Sequence, residues 1–171
     1  MQDTIDYILE KIGKLELELH YLREASIGEH INVGFTLLNE NAKTPTKAHA
    51  KDAGWDLYSS ESHTLPFAVP ILVNTGIAFE HPDYYHGLIW DRSSMAKKGI
   101  HILGGLIDNG FAGNIGVILI NLNSRENEQY ITVGQKITQI VFTKLPISNL
   151  IYKDSFKETD RGSKGFGSSG Q

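Results

Sequence analysis

Tyr130-Ile131-Thr132-Val133-Gly134-Gln135-Lys136-Ile137-Thr138-Gln139-Ile140-Val141-Phe142, residues 130–142, holds two runs of β-branched and aromatic side chains around a Gly-containing turn. Such runs, bounded by turn residues, read as strands. The same texture reaches back to His30 and forward to Tyr152. Residues 31–35, 71–73, 87–90 and 115–120 are further β-rich stretches, and Asn109-Gly110 supplies another turn. In this body only residues 93–98 read as a short helix. Many short strands with turn punctuation predict an all-β sandwich or barrel over residues 30–152.

The flanks have other periods. Within residues 1–24, Ile5, Ile8, Ile12, Leu15, Leu19 and Leu22 recur in steps of three and four. This is a heptad seam, with Ile5, Ile12 and Leu19 at position a and Ile8, Leu15 and Leu22 at d. In this register Lys11 at g faces Glu16 at e of a neighbouring helix, and Glu18 faces Arg23. Ile at both a and d in the first heptad favours three strands or more. An intersubunit coiled coil is expected, against the alternative of an amphipathic helix packed on its own domain. Gly13, at the outward b position, weakens each helix by about 0.8–1.0 kcal/mol relative to Ala, so the helix depends on an oligomeric body. Residues 153–171 are polar, rich in Gly and Ser, and without apolar periodicity, which reads as a flexible C-terminal arm.

With 171 residues the chain can bury one sizeable core. It has no cysteine, which removes disulfides, thiolate catalysis and Cys-based zinc sites. A net charge of −4 argues against a nucleic-acid binder. No apolar run is long enough to span a bilayer, so no membrane partner is expected. The start, Met1-Gln2-Asp3-Thr4-Ile5-Asp6, is acidic and polar rather than a secretory signal. A cytoplasmic location is expected.

The arm holds the sharpest motif, Arg161-Gly162-Ser163-Lys164-Gly165-Phe166-Gly167-Ser168-Ser169-Gly170. Glycines expose backbone N–H groups to phosphate, Arg161 offers a planar fork, and Phe166 offers a face for a base. In isolation such a stretch is more often a linker. Four further segments precede it: Asp52-Ala53-Gly54-Trp55-Asp56-Leu57-Tyr58, Asp91-Arg92-Ser93-Ser94-Met95-Ala96, Gly105-Leu106-Ile107-Asp108-Asn109-Gly110-Phe111-Ala112-Gly113 and Gly134-Gln135-Lys136-Ile137-Thr138-Gln139-Ile140. In this order and spacing the five segments resemble the five motifs of the homotrimeric dUTPases, a family with phage members. The resemblance runs from about Ile31 to Gly170 and omits only the N-terminal helix.

The resemblance implies a jelly-roll-like barrel, a homotrimer, and hydrolysis of dUTP to dUMP and pyrophosphate with Mg2+. It implies that Asp108 is the general base. A carboxylate is ionised at neutral pH and can take a proton from the attacking water. It places Asp56 beside the magnesium hydration shell, with no direct protein ligand to the metal, and Gln139 near the α-phosphate. Substrate-binding roles fall to Arg92, Ser93, Ser94, Gly105 and Phe111, and in the arm to Arg161, Lys164, Gly165, Phe166, Gly167, Ser168 and Ser169. Outside the family context Asp108 would be a turn residue, Asp56 a strand-end residue, Ser93 a helix N-cap and Gln139 an outward polar residue.

Three positions depart from the family pattern. Asp91 stands where Pro is usual, Phe111 where Tyr is usual, and Ile102 where some members carry an Asn that reads uracil. The backbone of a hairpin over residues 102–111 is then expected to read the base, with Phe111 packed on the deoxyribose. The dCTP deaminases share the fold and are the nearest rival. They need an acid ten residues after the motif Asp, and Ile118 occupies that place here. A rival of another class is a binding protein that recruits a protein partner through the N-terminal helix.

Overall fold

The computed structural model describes residues 7, 9, 11–16, 18, 19, 30–155 and 157. The described residues between 7 and 19 are helical. Their seam positions Ile12, Leu15 and Leu19 are exposed. Ile5, Ile8, Leu22 and Arg23, the rest of the expected seam and its charge partner, lie outside the described residues.

From residue 34 nearly every regular element is a strand. The order is β1 (Gly34–Leu37), β2 (Trp55–Tyr58), β3 (His63–Leu65), β4 (Ile71–Asn74), β5 (Ile77–Glu80) and β6 (Tyr85–Asp91). A single-turn helix, Ser93–Ala96, follows. Then come β7 (Ile100–Leu103), β8 (Leu106–Ile107), β9 (Gly116–Asn121), β10 (Gln129–Ile131) and β11 (Lys136–Lys144). Two larger sheets run in the orders β2-β11-β6-β8 and β4-β9-β7, with two-stranded pairs β1-β5 and β10-β3 beside them. Each of these ladders is antiparallel.

Alternation along the strands builds one core. In β9, Val117, Leu119 and Asn121 point inward while Ile118 points out. Leu57, Val73, Ile77, Ile89, Ile137 and Ile140 join the same buried cluster. Asn121 is fully buried without being orphaned. Its amide donates to the carbonyls of Leu65 (3.0 Å) and Asn127 (2.9 Å), and its oxygen accepts the N–H of Asn123 (3.0 Å). A buried amide so satisfied ties β9 to β3 and to the following loop.

Several boundaries differ from the sequence expectation. The expected strand at 31–35 sits at Gly34–Leu37, because pairing with β5 begins only at Gly34 opposite Glu80. Strands β2, β3, β5, β7 and β8 are additional. Each has two to four residues, too few for alternation to show in the sequence. The helix ends at Ala96 rather than Lys98, since Gly99, at φ +72°, turns the chain and donates to the Ala96 carbonyl.

The expected hairpin over 102–111 is not closed by its own strands. Instead β7 pairs with β9 and β8 pairs with β6, so residues 100–107 form one bent strand that changes sheets. The bend falls at Gly104 (φ +77°) and Gly105 (φ +105°). A Cβ on Gly105 would come within 2.9 Å of the Ile89 carbonyl oxygen, so only glycine fits there. The Asn109-Gly110 turn is present as expected, with the Phe111 N–H on the Asp108 carbonyl (3.2 Å) and Gly110 at φ +85°.

Ile140 lies in β11, paired on both sides and fully buried. Ile140→Ala is expected to destabilise the fold by about 2–5 kcal/mol. A fall in melting temperature at matched protein concentration checks this, and an unchanged melt would remove β11 from the core.

Candidate active site

The fourth segment places its side chains by means of an irregularity. Lys136 pairs with Tyr58, Thr138 with Leu57 and Gln139 with Asp56, so β11 has one extra residue between Lys136 and Thr138. A bulge of this kind reverses the alternation. Lys136 and Gln139, three apart in sequence, therefore share the face that carries Tyr58 and Asp56. Ile137 and Thr138 are buried.

Asp56 is the centre of that face. Arg92 Nε donates to its Oδ1 at 2.7 Å and Lys136 Nζ to its Oδ2 at 2.6 Å. Arg92 Nη1 also reaches Ser94 Oγ (3.0 Å) and the Lys136 carbonyl (3.5 Å). Burial disfavours charge on Asp56, but the hydrogen bonds from Lys136 and Arg92 outweigh it and hold the carboxyl below the usual carboxylate range. The same bond raises Lys136. Two cations are thus fixed in orientation before any ligand arrives.

Gln139 Nε2 donates to the Asp91 carbonyl at 2.8 Å, across the β11–β6 ladder. Its amide covers Gly54, where a Cβ would meet Gln139 Oε1 at 2.6 Å. A side chain two residues before Asp56 would displace the Gln139 amide. Lys47 Nζ lies 5.0 Å from the Trp55 ring centroid, and Lys43 and Lys136 each lie 5.6 Å from that of Tyr58, in cation–π range. The region is locally cationic in a chain that is acidic overall.

Arg92 and Ser94 thus join Asp56 and Gln139. Ser93 opens the helix but does not cap it: the cap position is Arg92, and no side-chain cap bond forms. Lys136 was not among the residues singled out from sequence. Regular alternation puts it on the opposite face from Gln139, and only the bulge brings it round.

Asp108, Phe111 and Gly105 lie elsewhere. Ile107 pairs with Gly87, so Asp108 leaves the sheet at the level of His86. Asn109 Nδ2 secures it there, on the carbonyls of Pro82 (2.9 Å) and Tyr85 (2.8 Å). Arg92 is six residues further along, about 20 Å at roughly 3.3 Å per residue. The Asp108 carboxylate is exposed and takes no hydrogen bond among the described residues. The Phe111 ring lies against Gly113, where a Cβ would be 3.0 Å from its Cζ. Arg161, Lys164, Gly165, Phe166, Gly167, Ser168 and Ser169 lie outside the described residues.

Comparison with known proteins agrees with the motif order. A family model described as dUTPase matches residues 40–170. The deoxyuridine 5'-triphosphate nucleotidohydrolase of Variola virus is 39% identical over 141 residues, covering 81% of this chain and 92% of that protein. That of Vaccinia virus (strain Copenhagen) is 38% identical over 138 residues, with the same coverage. Among solved structures, the dUTPase of Staphylococcus bacteriophage 80alpha with dUpNHpp matches with a TM-score of 0.73 at 28% identity, over 82% of this chain and 99% of that one. A variant dUTPase of phage phi11 of S. aureus, described with a coordinated structural Mg(II) ion, matches with a TM-score of 0.67 at 26% identity, over 74% and 99%.

The depressed Asp56 carboxyl makes stability depend on pH. Its contribution is complete above the ordinary carboxylate value of 3.8 and is lost as pH falls through its own lower value. Asp56→Asn is therefore expected to lower stability by about 1–2 kcal/mol at neutral pH, after allowance for partly exposed cations. The difference should close only in acid. Unfolding of both proteins at neutral pH and in acid measures it, and a pH-independent gap would contradict the ion-pair assignment.

Proposed function

The chain belongs to the dUTPase family, and we infer that its active site is assembled from more than one copy of the chain. It hydrolyses dUTP to dUMP, releasing pyrophosphate. The observation that carries the shared site is the separation along β6. Asp56, Arg92, Lys136 and Gln139 stand at one end of that strand, and Asp108 at the other. A single nucleotide triphosphate cannot have its α-phosphate at both ends. Two neighbouring copies bring the two half-sites together.

Exposed apolar surface supports a homotrimer of jelly-roll barrels. On the outer face of β4-β9-β7, Leu72, Ile118 and Leu103 stand in one row across three strands, all exposed. Beyond β11, Ile147, Leu150, Ile151 and Tyr152 are uncovered, at 77% or more of full exposure. Contiguous apolar surface of this kind marks an interface. The seam positions Ile12, Leu15 and Leu19 are uncovered as well, and a trimeric coiled coil would bury them.

In the shared site the Asp108 carboxylate accepts a proton from water as the water oxygen attacks the α-phosphorus. The bond from that phosphorus to the α–β bridging oxygen breaks, and pyrophosphate leaves. Arg92 and Lys136 oppose the negative charge on the phosphates, with Ser93, Ser94 and Gln139 as further hydrogen-bonding groups. Arg92 and Lys136 are already held in place by Asp56, so little ordering remains to be done on binding. Gly105 fixes the bend from which the base-reading segment 102–111 runs, and Phe111 stacks on the deoxyribose. The arm, with Arg161, Lys164, Gly165, Phe166, Gly167, Ser168 and Ser169, closes over the nucleotide.

The donor set suits Mg2+ that arrives with the substrate. Among the described residues no three His, Asp or Glu side chains converge on a common point. Asp56 keeps lone pairs on both oxygens beyond those used by Arg92 and Lys136, and it is the residue that would hold the ion's water shell. Bound there, the ion supplies charge neutralisation on the phosphates.

Asp108→Asn should retain dUTP binding while turnover falls by about 10²–10⁴-fold. Asp56→Asn should also be impaired. Mixed trimers of the two variants are expected to regain activity, because some sites then combine an intact Asp108 with an intact Asp56. Proven subunit exchange without recovery would refute the shared site. Phe111→Ala should lower activity on dUTP and raise relative activity on UTP; unchanged rejection of UTP would place sugar selection elsewhere.

A further inference from the structure

We propose that Asp91 is a positioning residue for the segment that reads the base. The proposal rests on the reading of residues 102–111 as the base-recognition segment. Asp91 is the last residue of β6 and its side chain leaves that sheet. Oδ1 accepts the Ile102 N–H at 2.9 Å, and Oδ2 meets Nδ1 of His101 at 2.6 Å. Its own carbonyl accepts Gln139 Nε2 at 2.8 Å. One residue therefore joins β11, β6 and β7.

The need for this clasp follows from the bent strand. Along β6 the partners are Gly87 with Ile107 and Leu88 with Leu106, followed by the Ile89 N–H on the Gly105 carbonyl at 2.7 Å. At Gly104 and Gly105 the chain turns away, and β7 pairs with β9 in the other sheet. The β6 ladder could end there. Instead the Asp91 carboxylate supplies one more rung, from a side chain, to Ile102. Two glycines at positive φ leave a bend with much freedom. Anchors on both sides of it, the Ile89 N–H and the Asp91 carboxylate, reduce that freedom to one geometry.

The exposure of the pair argues for positioning rather than bulk stability. The His101 side chain is 53% exposed and that of Asp91 is 25% exposed. A side-chain contact so placed contributes little to global stability. The carboxylate also precedes Arg92 directly, so the phosphate-binding arginine and the base-reading segment share one anchor.

The test uses the full chain with Mg2+, steady-state kinetics on dUTP and dCTP, and amide hydrogen exchange over residues 100–108. For Asp91→Ala, KM for dUTP should rise about tenfold with kcat within about twofold, as for loss of a charge-assisted bond in binding. Preference for dUTP over dCTP should fall, and exchange at residues 100–108 should quicken. Asp91→Asn retains an acceptor for the Ile102 N–H and should recover most of the KM and the protection. A purely structural role would instead lower the melting temperature and kcat while leaving KM unmoved. Folded Asp91→Ala with parental KM and parental exchange would overturn the proposal, as would an Asp91→Asn variant no better than Asp91→Ala. If Asp91→Ala does not fold, His101→Ala reads the same clasp, with a smaller KM rise of about threefold; parental KM and exchange in that variant would overturn it. Hydrogen exchange separates the two readings. A parent inactive on dUTP defeats the functional reading, while the exchange data still decide the clasp.

Discussion

Strand β11 is bonded along both edges, to β2 on one side and β6 on the other. The cluster around Asp56 depends on that double pairing. Asp56 comes from β2, Arg92 follows β6, and Lys136 and Gln139 come from β11 itself. Backbone ladders fix the strands about 4.8 Å apart, so the side chains need little further help to converge. The bulge after Lys136 is the one deviation that matters. Without it the lysine would point away, and Asp56 would keep a single cationic partner.

The charge arrangement follows from the same spacing. A carboxylate set between two cations is neutralised locally, and it also prevents those cations from wandering. Preorganised charge of this kind favours a multiply charged anion more than flexible side chains could. The acidity of the whole chain is no obstacle, because at physiological ionic strength charges further apart than about 8 Å are largely screened. In the proposed site a triphosphate would meet the immediate ring of Arg92, Lys136 and the nearby lysines.

Asp108 is held on a different principle. It stands at an exposed turn, fixed by its neighbour Asn109 and by its own carbonyl, which accepts the Phe111 N–H, rather than through its carboxylate. A general base must be free to accept a proton, so an unengaged carboxylate on a rigid turn suits the role. The fold keeps the engaged Asp56 carboxylate and that of Asp108, which takes no hydrogen bond among the described residues, at opposite ends of β6. Apolar outer faces such as Leu72–Ile118–Leu103 provide the means of association that would reunite them.

Much of this was legible without coordinates. Runs rich in β-branched residues at 71–73, 115–120 and 137–142 marked strands, because such side chains pack well on a pleated, half-buried surface. Asp56, Arg92 and Gln139, which the structure brings together on one face, each lie in a short motif of characteristic composition. Other features had no local signature. Strands β2, β7 and β8 are too short to display a period, and they exist because longer neighbours pair with them. Regular alternation along β11 would put Lys136 on the face opposite Gln139, and only the bulge brings the two together. Residues 102–111 read as a hairpin, yet their strands pair with β6 and β9. The clasp of Asp91 on His101 and Ile102 joins residues ten and eleven apart, beside a bend that no pattern of hydrophobicity encodes. Sequence by itself determined the class of each segment and the chemistry of its side chains, since both are local properties. Only the tertiary structure decided which side chains meet, since hydrogen-bond register between distant strands sets that.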